Sequence, residues 1–161
     1  MNRLREVSRL LDEEHRANLI LLRRVEQAFA PSSQAQRRER GDLMVAFGRQ
    51  FDQEVRRHFD FEERELFPRL NDGGAGDLAS LLAEEHEAIR AVADELLPLA
   101  RAAGEGRLDD PGWDALRRNA LEMAERLAAH IDKETMALLP VLDDLLDEET
   151  DRDLAFGYST T

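Results

Sequence analysis

Apolar residues recur along this chain in steps of three and four, the spacing that lines one face of an α-helix. Leu4, Val7, Leu11, Leu19, Leu22 and Val25 form the first stripe and predict a helix from about Leu4 to Phe29, closed by Pro31-Ser32-Ser33. Leu43, Phe47, Phe51, Val55, Leu66 and Leu70 predict a second, ending near Leu70 at the turn signal Asn71-Asp72-Gly73-Gly74. Its start is either near Gln34 or after a break at Gly41-Asp42, where Asp42 would cap it. Leu78, Leu82, Ile89, Ala93, Leu96 and Ala100 place a third helix from about Gly76 to Ala103, stopped by Gly104-Glu105-Gly106. Asp110-Pro111 reads as an N-cap followed by proline at the first helical position. From there Leu116, Ala120, Met123, Leu127, Leu138 and Val141 carry a fourth helix to Leu142 or slightly beyond. Pro68 and Pro140 are expected to end or kink helices two and four. No segment alternates as a strand would. The expected fold is all-α: an antiparallel up-down-up-down four-helix bundle over residues 1–147, with 148–161 as a polar C-terminal tail, loose or forming a short extra turn.

Each stripe is interrupted by a polar side chain on its apolar face. His15, His58, His86 and His130 fall one to a helix, and Glu62 and Glu134 follow two of them at i+4. The interruptions repeat. Leu10-Leu11-Asp12-Glu13-Glu14-His15 aligns with Leu81-Leu82-Ala83-Glu84-Glu85-His86. His58-x-Asp60-x-Glu62 aligns with His130-x-Asp132-x-Glu134, and the match continues without a gap through Leu66/Leu138, Pro68/Pro140 and Leu70/Leu142. Two helical hairpins related by a pseudo-two-fold axis would bring two equivalent sets of side chains around a shared centre.

Composition narrows the chemistry. The 161 residues are enough for one domain with a sizeable core, and 42% hydrophobic with 35% charged is ordinary for a globular protein. A net charge of −13 opposes nucleic acid and anionic membranes as partners. With no cysteine, disulfides, thiolate metal sites and thiol catalysis drop out. No apolar run reaches a membrane span, and Met1 to Glu6 lacks a secretory pattern, so the expected location is cytoplasmic.

Burying six such groups together is costly unless cations neutralise them. A His and a Glu four apart sit one above the other on a helix face and can reach the same ion. Imidazole with carboxylate and no thiolate suits iron, manganese or zinc. Two carboxylates able to bridge favour a dinuclear centre of a redox metal, with iron ahead of zinc and manganese. The metal-free alternative is a bundle whose His–Glu pairs serve fold specificity.

The order His…His-x-x-x-Glu…His…His-x-x-x-Glu resembles the hemerythrin-like, or HHE cation-binding, family, over nearly the whole chain. The resemblance implies two iron ions. His15 and His58 would bind one and His86 and His130 the other. Glu62 and Glu134 would bridge them beside an oxo or hydroxo ligand. The sequence departs from oxygen-carrying hemerythrins twice: Arg90 stands where they have a further histidine, and Glu134 closes a His-x-x-x-Glu motif where they have a longer spacing to Asp. Glu54, four residues before His58, is a candidate for the position left open, with a solvated helix glutamate as the alternative; its repeat counterpart is Arg126. Glu65 and Asp12 are further candidates of that type. Asp60 and Asp132 suit capping, packing against arginines or support of the ligands. Trp113 and Met123 read as core or packing residues, and Arg37-Arg38-Glu39-Arg40 as a solvated run.

The implied function is a non-haem di-iron protein that reacts with or senses O2, peroxide or NO, as a monomer or homodimer. Whether it turns over a substrate stays open. The alternatives are iron sensing or delivery to damaged iron centres, and an interaction module that has lost its metal.

Overall fold

The computed structural model describes residues 4–161, which form five helices and no strand. Helix α1 is Glu6–Phe29. Helix α2 spans 37–72, α3 is Gly76–Gly104, α4 spans 110–145 and α5 is Glu148–Ser159. Two of these are not uniform. In α2, wider π turns at Phe51–Val55 and Glu62–Leu66 interrupt the α-helical stretches; in α4 one interrupts at Glu134–Leu138. None of the described helices is long and apolar enough to cross a membrane.

The helix starts and stops carry several corrections to the sequence reading. Leu4 precedes α1 and is exposed, and α1 begins at Glu6. Helix α2 begins at Arg37 and runs through Gly41-Asp42 without a break. Glycine at 41 serves close approach: a Cβ there would meet the Ala103 carbonyl oxygen of α3 at 3.0 Å. The N-cap of α4 is Asp109, one residue earlier than expected; its carboxylate accepts from Gly112 N at 2.8 Å. Pro68 and Pro140 do not end their helices, which continue to Asp72 and Leu145. A proline lacks the N–H that a helix interior requires. Here the π turn immediately upstream shifts the hydrogen-bond register, so each proline enters at the start of a new α-helical stretch, where no donor is needed.

The expected polar tail is instead helix α5. Asp147 caps it, accepting from Thr150 N at 2.8 Å, and it buries Asp151, Leu154, Ala155 and Tyr158. Few apolar residues mark this helix in the sequence, and its docking on α1 supplies the rest of its stability.

Helix α1 packs on α2, α4 and α5, and α3 packs on α2 and α4. The apolar core is split. One cluster holds Leu22, Phe29, Phe47, Phe51, Phe59, Ile89, Leu96, Leu116 and Leu127. The other holds Leu11, Phe61, Leu66, Leu70, Leu82, Leu138, Leu142 and Tyr158. His15 lies between Leu11 and Leu22 along α1, and His86 between Leu82 and Ile89 along α3, so a buried polar layer separates the two clusters.

Candidate metal centre

Four helices supply this layer: α1 gives His15, α2 gives His58 and Glu62, α3 gives His86, and α4 gives His130 and Glu134. None of the six is more than 3% exposed. Each glutamate opens a π turn of its helix. Such widened turns often occur at functional sites.

The imidazole Nε2 atoms and the carboxylates converge. Glu62 Oε2 lies 3.4 Å from His58 Nε2, and Glu62 Oε1 lies 3.3 Å from His86 Nε2. Glu134 Oε1 lies 2.8 Å from His130 Nε2, 3.5 Å from His15 Nε2 and 3.8 Å from His58 Nε2. Each carboxylate thus faces imidazoles from both halves of the chain. Two groups have donor atoms within 4.8 Å of one another: Glu62, His86, His130 and Glu134, and His15, His58 and Glu134.

Six donor atoms in this layer have no hydrogen-bond partner among the described residues: His15 Nε2, His58 Nε2 and both oxygens of Glu62 and of Glu134. The 2.8 Å approach of Glu134 to His130 is an ion-pair distance without hydrogen-bond alignment. Leaving one buried acceptor unsatisfied costs about 1–3 kcal/mol. Cations held among these nitrogens and oxygens would satisfy all six, and the donor set fits borderline or hard metals. The residues present therefore fit a metal.

The outward nitrogens are all partnered. His58 Nδ1 lies 2.9 Å from Glu14 Oε2, His86 Nδ1 3.0 Å from Glu63 Oε2, and His130 Nδ1 2.8 Å from Glu85 Oε1. His15 Nδ1 lies 3.0 Å from Thr135 Oγ1. An ionised carboxylate only accepts, so Nδ1–H donates in those three rings, and in the neutral ring the Nε2 lone pair turns inward. The three carboxylates are themselves anchored. Arg57 and Tyr158 donate to Glu14, Arg90 to Glu63 at 2.7 and 3.1 Å, and Lys133 to Glu85. Burial works against ionisation of all three, but His58 with Tyr158 and Arg57 at Glu14, Arg90 with His86 at Glu63, and Lys133 with His130 at Glu85 outweigh it and hold them below the usual carboxylate range.

Charge inside the layer is frustrated. Burial, then the facing Glu134 charge, push the Glu62 carboxyl well above its ordinary range. Burial opposes ionisation of Glu134 too, yet the facing Glu62 carboxyl and the neighbouring His130 and His15 imidazoles hold it well below. Burial disfavours charging His58, but Glu62, Glu14 and Glu134 overcome it and raise the imidazole well above its usual value. His130 is raised in the same way, chiefly by Glu134 against the burial cost. His86 goes the other way: burial, then the neighbouring His130, lower it to about 4.

The remaining candidates lie outside both groups. Glu54 is half-buried and its Oε2 accepts from Gln50 Nε2 at 3.0 Å. Asp12 pairs with Arg16 at 2.9 Å, and Glu65 lines a surface cavity beside α5. Asp60 pairs with Arg90 at 3.1 Å, the arginine contact expected of it; Asp132 is exposed. Arg90 turns to Glu63 and Asp60 and stays outside the donor groups. Trp113 packs under the Arg37 guanidinium, and Met123 is buried.

Sequence reasoning missed Glu14, Glu63, Glu85 and Thr135. A signal was present. Glu14 and Glu85 occupy the same place in the repeated Glu-Glu-His, and Glu63 and Thr135 directly follow the two buried glutamates. No curated protein matches the chain. The model of the hemerythrin HHE cation-binding domain matches residues 6–142, a stretch that contains all six inward-facing residues and most of α1 to α4. The chain therefore belongs to the hemerythrin HHE cation-binding domain family.

Proposed function

We propose that the chain is a non-haem di-iron protein of hemerythrin type that reacts with or senses O2, peroxide or NO. The observation that carries this reading is the set of six unpartnered donor atoms shared between two groups that meet at Glu134. His15 and His58 would hold one ion, His86 and His130 the other, with Glu62 and Glu134 between them. Bound there, a pair of redox-active cations would supply electron transfer and an open position for a small ligand.

The protein's own residues do the rest. Nδ1 hydrogen bonds orient the imidazoles and fix their tautomers. Phe59, stacked on His86 with ring centroids 3.8 Å apart, and Phe67 at 5.5 Å wall that ring from solvent. Arg90, in place of a fifth histidine, offers no lone pair and would add no ligand; it is paired with Glu63 and Asp60. The architecture that suits this reading is an up-down-up-down bundle of α1 to α4 with two-fold pseudosymmetry. The matching π turns at Glu62 and Glu134 and the matching supports Glu14 and Glu85 favour it.

Elemental analysis and an aerobic absorption spectrum of the purified protein test the proposal. About two iron equivalents per chain are expected, with near-ultraviolet absorption that the Glu62→Ala, Glu134→Ala double variant loses. Unchanged iron content in that variant would refute the assignment. Less than about one equivalent of metal in the unsubstituted protein would favour a metal-free interaction module.

A further inference from the structure

Helix α5 lies beyond the family match, which ends at residue 142, yet it reaches the centre. It grips α1 at two points. Near its start, Asp151 accepts from Glu6 N at 2.9 Å and Val7 N at 3.0 Å. These are first-turn amides of α1, whose own N-cap residue makes no side-chain capping bond. Near its end, the buried Tyr158 hydroxyl donates to Glu14 Oε2, the same oxygen that faces His58 Nδ1 at 2.9 Å. Arg57 completes the arrangement: its Nη2 donates to Glu14 Oε1 at 3.1 Å, and its guanidinium lies over the Tyr158 ring, 4.5 Å from the centroid. The same ring packs against Phe61, with centroids 4.5 Å apart.

We propose that Tyr158 is a positioning residue of the metal centre. Its hydroxyl locks Glu14, and Glu14 holds His58 with Nδ1 protonated and Nε2 turned inward. This rests on the reading of the six buried residues as a metal centre. Two donors, Tyr158 O–H and His58 Nδ1–H, converge on one carboxylate oxygen, so losing the first frees Glu14 to rotate away from the second. Among the described residues the other half has no equivalent. Glu85, which supports His130, is anchored by Lys133 from the ligand-bearing helix α4 itself. Helix α5 is therefore a clamp on one half of the centre, and its docking and the orientation of His58 are coupled. Coupling of this kind is reciprocal, so occupancy of the centre should tighten the clamp.

The test uses the full chain with Tyr158→Phe, which keeps the ring and removes only the hydroxyl, and Glu14→Gln. The first readout is metal-free: long-range 1H–15N spectra of the imidazole rings, supported by a thermal melt. Tyr158→Phe is expected to keep its melting midpoint and to shift the His58 ring nitrogens while those of His86 stay in place. Glu14→Gln should shift them further. Phe156→Ala, an exposed site on the same helix, should leave them unmoved. The second readout is a cobalt(II) titration. Affinity should fall about 3–10-fold in Tyr158→Phe and about 10–100-fold in Glu14→Gln, with altered visible bands. His58 signals unchanged by Tyr158→Phe would overturn the proposal whatever the cobalt result. An unsubstituted chain that takes up no cobalt would instead sink the metal-centre reading, and the metal-free spectra would still decide the role of Tyr158.

Discussion

The two halves of the polar layer carry the same donors but not the same supports. His86 stacks on Phe59 and packs against Phe67, and its outward nitrogen meets the Glu63 carboxylate, itself clasped by Arg90. His15, its counterpart, has only the Thr135 hydroxyl behind it. His58 is backed by Glu14 with Tyr158 and Arg57, and His130 by Glu85 with Lys133. One group offers four residues and the other three. A support adjusts the basicity and orientation of a ligand without touching what it binds. The inward donors thus match across the two halves while the supports around them differ, and the two halves should hold cations unequally.

The largest effect tests what the halves share. Glu134 belongs to both groups, so Glu134→Ala should abolish measurable uptake at both positions, whereas Glu62→Ala should spare part of the His15–His58 group. Metal content after dialysis checks this, and equal residual content in the two variants would deny Glu134 its special place. Next comes packing. Phe59→Ala should cost about 3–5 kcal/mol in denaturant melts of the metal-free protein, because a buried ring and its stack on His86 disappear together. At the matching position of the other half, Ile131→Ala should cost less, about 2–4 kcal/mol. A larger loss at Ile131 would reverse the ranking of the two positions.

The supports themselves give a third contrast. Glu63→Gln should weaken metal binding about 10–100-fold, since His86 loses a charged acceptor. Thr135→Ala should weaken it by less, because a neutral hydroxyl contributes less than a charge-assisted bond. Competition with a chelator of known strength measures both.

Acidity separates the halves again. In the metal-free chain His58 and His130 are raised, so the stability they contribute is full below the ordinary imidazole pKa of about 6.5. It is lost as pH rises through their raised values. Glu134 is depressed, so its contribution is full above its ordinary 4.5 and fades as pH falls through the lowered value. Metal-free stability should therefore peak on the mildly acidic side of neutral. Metal binding needs neutral imidazoles, so it should release protons and strengthen as pH rises, and His58 rather than His86 should be the source. Calorimetry in buffers of different ionisation enthalpy counts the protons released; none at neutral pH would contradict the raised His58. The smallest effect is at the surface. Asp60→Asn breaks a largely exposed pair with Arg90 and should change stability by no more than about 0.5 kcal/mol, leaving metal content unchanged.

Periodicity made much of this molecule readable in one dimension. A helix places residues three and four apart on the same face whatever surrounds it, so the four long helices and the inward direction of His15, His58, Glu62, His86, His130 and Glu134 followed from spacing alone. The same locality made the family recognisable. Other features depended on contacts between distant segments. Gly41 serves the close approach of α3 and not a break, and the π turns at Glu62–Leu66 and Glu134–Leu138 make room for prolines that local rules would have set against the helix. Helix α5 is held by α1 and could not be inferred from its few apolar residues. The partners of the outward nitrogens mostly come from neighbouring helices, and which carboxylate meets which imidazole depends on how those helices are rotated and registered against each other. Hydrophobic spacing determines which side of a helix turns inward; it does not encode the few ångströms of sliding and rotation that bring Glu14 to His58 and Tyr158 to Glu14.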